Sequence, residues 1–215
     1  MNFGFAGTIG NARTSTLTGA FDAARITRTD KSSVYFKTIK ATALVDGRSA
    51  ETAQAIRAGI SYDHNLGSRA FLNLFNDWEH DRFQSLDLRF VAGGGVGYHL
   101  LKRERSLLDV LAGFDYNHSS FSTPATRNSG ELFWGDEYKL ILNSTTLLTQ
   151  SFRMFNNLND TSTYRINFDL TLSTKLKKWL NWNVTMSDRY LSTPAPGRKT
   201  NDLLYSTGLG ITFAP

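Results

Sequence analysis

The sequence predicts an all-β fold, a single antiparallel barrel of about twelve strands that spans a membrane. Three observations lead to this prediction. Apolar and polar residues alternate along the chain, the alternating segments are long, and the connections between them alternate in length. The segment 164–173, YRINFDLTLS, shows the alternation best, with Tyr, Ile, Phe and Leu on one face and Arg, Asn, Asp, Thr and Ser on the other. Alternation alone fits a soluble barrel equally well, so strand length and connections have to decide.

Twelve segments carry the strand pattern. Their length is close to the roughly nine to eleven residues of a tilted transmembrane strand, whereas strands of globular proteins usually have about five or six. They are 2–10, 15–27, 32–44, 52–62, 69–78, 86–100, 106–118, 131–142, 146–155, 163–174, 179–191 and 203–213.

The connections predict which end of the barrel faces which compartment. After the first turn, long connections (45–51, 79–85, 119–130, 156–162 and 192–202) alternate with short ones (28–31, 63–67, 101–105, 143–145 and 175–178). Short turns are typical of the periplasmic side and longer loops of the cell exterior. The short turns are basic, with Arg28, Lys31, Lys102, Arg103, Arg105, Lys175, Lys177 and Lys178. The long loops carry the acidic residues Asp46, Glu51, Glu79, Asp81, Asp160 and Asp202.

Composition agrees with a polar interior. Of the 215 residues, 40% are hydrophobic, below the globular average of roughly 45–50%. The chain has no cysteine, which excludes disulfides and thiolate metal sites. A net charge of +5 is most simply explained by Lys and Arg at strand ends, and we expect no nucleic-acid partner. We expect residues 1–215 to form one domain, a mature fragment without a signal peptide.

Aromatic residues gather near both ends of the predicted strands, where a membrane barrel carries two girdles. Those near the long loops are Trp78, Tyr116, Tyr164, Tyr190 and Tyr205, and those near the short turns are Tyr62, Tyr98, Trp182 and Phe213.

The polar faces of the strands carry charges of both signs. In an inside-out barrel these residues line the lumen: Arg57, Asp87, Arg89, Asp109, Asp115, Glu137, Lys139, Arg165, Asp169 and Arg189. Two hypotheses remain open, a narrow channel for ions or small polar solutes and a lumen closed by a ladder of ion pairs. Sequential strand pairing places Arg89 near Asp115 and Asp109 near Lys139.

The sequence predicts no catalytic, cofactor or metal site. The run Gly93–Gly97 continues into a strand rather than a helix, so it lacks the helix N-terminus of a phosphate loop. The histidines have no metal-ligand spacing. His118, Ser119, Ser120 and Asn117 contain the residue types of the outer-membrane phospholipases, but His118 and Ser119 point to opposite faces of a strand.

The last strand carries the most specific pattern. Tyr205, Thr207, Leu209, Ile211 and Phe213 alternate up to a terminal aromatic, and this resembles the assembly signal of bacterial outer-membrane barrels. In this chain Ala214 and Pro215 follow the aromatic. Four segments resemble the family of salt-induced outer-membrane proteins, a domain family of unknown function: ARITRTDKSSVYF, HDRFQSLDLRFVAGGGVGYHLL, LNDTSTYRINFDLTLST and SDRYLSTPAPGRKTNDLLYSTGLGITF.

The resemblance implies a barrel in the outer membrane of Gram-negative bacteria, without an established activity. We therefore expect a non-enzymatic, porin-like role. The implied partners are outer-membrane lipids, lipopolysaccharide and the barrel assembly machinery. Two alternatives remain, a lipid-acting hydrolase of the outer membrane and a soluble β-barrel binding protein.

Overall fold

The structure is a computed structural model that describes residues 2–8, 14–45, 48–122, 126–194 and 197–211; the side chains of 2–8, 14–16, 43–45, 48–53 and Phe83 are not described. The described residues form twelve strands and a short 3-10 turn, Arg82–Gln84, between the fifth and sixth strands. The strands are β1 (Asn2–Thr8), β2 (Thr14–Ile26), β3 (Asp30–Val45), β4 (Arg48–Asn65), β5 (Ala70–Asp81), β6 (Leu86–Arg103), β7 (Ser106–Phe121), β8 (Thr126–Ile141), β9 (Thr146–Asn157), β10 (Tyr164–Lys175), β11 (Leu180–Leu191) and β12 (Asn201–Ile211).

The strands close into a barrel. Each strand pairs antiparallel with its neighbours in sequence, and β12 pairs back with β1, where Asn2 lies opposite Gly210 and Gly4 opposite Gly208. Closure gives every strand two partners, so the sheet has no exposed edge. The predicted twelve-stranded antiparallel barrel is confirmed. Among the described residues, no helix is long and apolar enough to cross a membrane.

The strands run further than predicted at the long-loop end. β3 ends at Val45 and β4 begins at Arg48, and β5 continues to Asp81. Glu79 and Asp81, predicted to lie in a loop, are therefore strand residues, and Asp81 is only 1% exposed. Polar residues that face the inside of a barrel have the composition of a loop, which explains the error. Asp46 and Phe213 lie outside the described residues.

The polarity of the wall is inside-out. In β7 the buried Asp115, Asn117 and Ser119 alternate with Phe114 and Tyr116, which are 63% and 50% exposed. Leu74, Val96 and Tyr205 are also more than half exposed on the outer face of their strands. A soluble barrel would bury these apolar faces, so the outer wall suits a hydrocarbon environment.

The glycine run of β6 allows close packing inside the barrel. A Cβ on Gly97 would overlap the ring of Phe71, and one on Gly93 would lie 2.9 Å from the ring of Phe75. The segment continues as a strand, as expected, and its bare backbone leaves room for large side chains from the neighbouring strand.

The loop between β9 and β10, residues 158–163, is closed by Asp160. Its carboxylate accepts hydrogen bonds from the Ser162 hydroxyl at 2.7 Å, the Thr163 hydroxyl at 2.8 Å and the Ser162 backbone N–H at 3.1 Å. These donors hold the pKa of the Asp160 carboxyl below its usual range, because they stabilise the charged form. The loop therefore keeps a fixed negative charge.

Cysteines placed at the two ends of the barrel should differ in their reaction with a membrane-impermeant reagent. We define the short-turn end by the turns 27–29, 66–69, 104–105, 142–145 and 176–179, and the long-loop end by the opposite connections. Lys199→Cys, exposed at the long-loop end, should react with a membrane-impermeant maleimide on intact cells, and Lys177→Cys should react only after permeabilisation. The reverse result would invert the predicted sidedness.

Candidate functional site

Charged side chains fill the inside of the barrel toward the long-loop end. Arg57 donates from Nε to Glu79 at 2.6 Å and from Nη2 to Asp81 at 2.7 Å. The second oxygen of Glu79 accepts from Nη1 of Arg89 at 2.7 Å. Arg89 also donates from Nε to Ser119 at 3.2 Å. These contacts link four adjacent strands, β4 to β7, through one network.

A second ion pair lies on the next strands. Arg165 donates to one oxygen of Glu131 from Nε at 3.1 Å and from Nη2 at 2.8 Å. The other oxygen of Glu131 accepts from Asn117 at 2.7 Å and Ser129 at 3.1 Å. The guanidinium carbon of Arg165 lies 3.4 Å from the ring centroid of Phe155. Both charges are almost fully buried, so each depends on the other for compensation.

A third ion pair belongs to β10 and β11. Arg189 donates from Nη2 to both oxygens of Asp169, at 2.9 and 2.7 Å, and Ser187 donates to the same carboxylate. Tyr35 of β3 donates to Asp77 of β5 at 2.9 Å, past the intervening strand β4. The inner wall at this level thus carries paired charges of both signs, without one dominant charge.

Asp87 departs from the predicted lumen set. It lies at an irregularity in the β6–β7 register between Leu86 and Leu88, where it is exposed and accepts a hydrogen bond from Ser122 at 2.6 Å. The extra residue breaks the alternation, so Leu86 and Arg89 are both buried although they are three residues apart.

The other predicted residues lie at inward positions of the strand alternation. Arg57, Arg89, Arg165, Asp169 and Arg189 belong to the networks above. Asp109, Glu137 and Lys139 lie nearer the short-turn end, where Lys139 is exposed. The ninth, Asp115, is buried, and neither carboxylate oxygen has a hydrogen-bond partner among the described residues.

The two predicted ion pairs are wrong. Arg89 bonds to Glu79 and Ser119 instead of Asp115. Asp109 bonds to Nδ1 of His99 at 2.6 Å instead of Lys139. Sequence reasoning also missed Glu79, Asp81 and Glu131, because polarity placed the first two in a loop. Glu79 and Asp81 could have been identified because they continue the alternation of Phe71, Asn73, Phe75 and Asp77 on the same face of one strand.

Apolar side chains fill part of the lumen beside the charges. Phe75, Val91, Leu111, Phe133 and Phe155 form one buried cluster on β5 to β9, and Phe133 has no exposed surface. Phe75 and Phe133 meet edge to face at 5.2 Å between ring centroids. This cluster narrows the lumen from one side.

The facing wall is built from small residues. Toward the short-turn end, six inward positions of β10, β11 and β12 carry a hydroxyl group or glycine and are partly exposed: Thr171, Ser173, Thr185, Ser187, Ser206 and Gly208. Thr171 and Thr185 share a hydrogen bond at 3.0 Å. Short polar side chains leave space along this wall.

Contacts also cross the mouth at the long-loop end. Gln84 donates to Asp202 of β12 at 3.2 Å, and Arg198 donates from Nε to the Ser85 hydroxyl at 2.9 Å. They join the β5–β6 turn to the β11–β12 connection, so this mouth is partly bridged.

The residue types of a hydrolase do not assemble at His118. Its Nδ1 lies 2.6 Å from Oδ1 of Asn128 at an exposed position, whereas Ser119 is buried in the lumen and bonds to Arg89 and Asn117. The two faces of β7 separate them. No group of three or more His, Asp or Glu residues in the described part of the chain is arranged to hold a metal ion.

The closed barrel, its apolar outer wall and its charged lumen define an outer-membrane β-barrel. The chain belongs to the family described as "Protein of unknown function, DUF481", which it matches over residues 1–213. No curated protein matches the sequence.

Solved structures share the fold at low identity. The NanC porin is 10% identical, with a TM-score of 0.57 over 99% of this chain and 98% of that chain. The KdgM porin is 10% identical, with a TM-score of 0.51 over 100% of both chains. The translocator domain of the autotransporter NalP from Neisseria meningitidis is 13% identical, with a TM-score of 0.53 over 99% of this chain and 86% of that chain.

Proposed function

We propose that the protein is a non-enzymatic, narrow channel for ions or small polar solutes across the bacterial outer membrane. The partly exposed wall of Thr171, Thr185, Ser187 and Ser206 carries the proposal, because it offers a polar path beside the apolar cluster. Hydroxyl groups both donate and accept hydrogen bonds, so they replace water around uncharged and charged solutes alike.

The charges of the lumen favour small solutes over a strongly sign-selective pore. A selective constriction usually presents one sign, whereas here Arg57, Arg89, Arg165 and Arg189 are matched by acidic partners. The two structural neighbours named as porins support the same class of function.

Outer-membrane lipids, lipopolysaccharide and the barrel assembly machinery are the partners we propose. The outward faces of Tyr205 and Leu209, which are 66% and 51% exposed, suit contact with lipid. Together with Thr207 and Ile211 they form the described part of the proposed assembly signal.

Arg189→Gln should shift ion selectivity toward cations. The change leaves the Asp169 carboxylate, 23% exposed, without its guanidinium partner and adds one negative charge to the lumen. The measurement is the reversal potential of the purified barrel in planar bilayers under a KCl gradient. Lys178→Gln removes the same charge from an exposed turn and is the matched control.

The unchanged protein should give discrete conductance steps in the same experiment. Its failure to conduct would contradict the channel and favour a lumen closed by its ion pairs. Conduction with identical reversal potentials for both variants would instead show that ions do not pass close to Asp169 and Arg189.

A further inference from the structure

We propose that a groove on the outer wall of β2 to β5 binds one anionic phospholipid of the leaflet at the short-turn end. The groove encloses about 690 Å³. Its floor consists of two rows of residues paired across adjacent strands: Ala23, Val34 and Ile60 in one row, Arg25, Ser32 and Tyr62 in the next. Each strand contributes two outward residues and the backbone between them, so the groove opens away from the lumen.

The groove is concave because short and long side chains alternate around it. Ala23 and Ser32 project little beyond the backbone, whereas Ile60 and Tyr62 rise beside them and are 51% and 41% exposed. Leu74, 59% exposed, borders the groove on β5. An acyl chain in this groove contacts protein on several sides, which a chain against a flat wall cannot do.

The basic residues beside the groove indicate that the lipid has an anionic head group. Arg25 lines the groove and is exposed, and Arg28 follows in the adjoining turn. The nearby Asp30 carboxylate is already engaged by Tyr62, by Nδ1 of His64 at 2.8 Å and by the Thr29 hydroxyl at 2.6 Å. The guanidinium groups of Arg25 and Arg28 are both exposed and can therefore contact a lipid phosphate. A tyrosine hydroxyl at the same level suits the membrane interface.

A phospholipid accounts for both halves of the site better than a second copy of the chain. A copy would have to bring an anionic group to Arg25 together with an apolar ridge for the groove. A lipid carries a phosphate and acyl chains in one molecule, and each basic residue near an anionic membrane surface contributes about 1 kcal/mol.

Native mass spectrometry of the detergent-purified barrel, titrated with dioleoyl phosphatidylglycerol, tests the site. We expect one tightly bound lipid on the unchanged protein. Arg25→Gln should weaken its affinity about fivefold, the equivalent of one surface charge. Ile60→Trp fills the groove and should abolish the tight site, whereas Leu132→Trp, on the outer wall of β8, should retain it.

Heat-modifiable gel mobility verifies that each variant is folded. Should Ile60→Trp fail to fold, Arg25→Gln still decides the outcome. Equal lipid binding by all folded variants, or a dimer mass in place of a lipid adduct, would overturn the proposal. Either result leaves the channel hypothesis intact, because conduction depends on the opposite face of the wall.

Discussion

Leu170→Arg is expected to destabilise the barrel in a bilayer by about 2–4 kcal/mol. Leu170 lies near the middle of β10 and faces outward, between Gln150 of β9 and Met186 of β11. No acidic side chain lies directly opposite it on either strand, and Asp188 on the outer face of β11 is only a diagonal neighbour, at about 7–8 Å. The guanidinium would therefore enter the hydrocarbon without a directly opposed partner. Phe168, the outward residue two positions earlier, is a weaker test because Asp188 lies opposite it.

Thr171→Arg is the matched control on the inner face. It removes the hydrogen bond to Thr185, a loss of about 1 kcal/mol, and places the new charge in the polar lumen. The measurement is reversible urea unfolding of both variants in lipid vesicles. A larger loss for Thr171→Arg than for Leu170→Arg would mean that the outer face is not the lipid face.

Arg165→Leu is expected to lower the free energy of unfolding by about 3–5 kcal/mol, because it leaves the buried Glu131 charge uncompensated. Arg165 and Glu131 are 6% and 5% exposed, so water cannot replace the lost guanidinium. The double variant Arg165→Leu/Glu131→Gln should recover much of the lost free energy of unfolding, since the amide of glutamine carries no charge. Unfolding in the same vesicles measures both variants.

The control for this prediction is an ion pair that is exposed to solvent. Lys31 lies 3.5 Å from Asp63 with 43% of its side chain exposed, and Lys31→Met should cost less than about 1 kcal/mol. A cost for Arg165→Leu no larger than that of Lys31→Met would show that the interior pair is hydrated. In that case the lumen at this level is open to water rather than closed by charges.

The number of strands and the face of most residues could be predicted from the sequence because both depend on local alternation. Successive side chains point to opposite sides of a strand whatever its partner is. This rule alone puts Phe114 and Tyr116 on one face of β7 and Asp115 on the other, and strand length and connections then indicate which face is outside.

Strand ends and the bulge in β6 were decided by pairing between strands. Glu79 and Asp81 lie in β5 because β4 extends far enough to pair with them. Asp87 is exposed because one extra residue in β6 interrupts the alternation opposite β7. A single inserted residue changes the face of its neighbours, and the composition of the segment contains no sign of it.

The partners of the interior charges also depended on tertiary structure alone. The sequence identified Arg89, Arg165 and Arg189 as interior residues, but Glu79, Glu131 and Asp169 were selected as their partners by the stagger between strands. That stagger follows from closing twelve strands into one barrel, because β1 and β12 must meet in register. Closure pairs the first strand with the last, and this fixes the register between neighbouring strands. No local pattern of residues encodes that register.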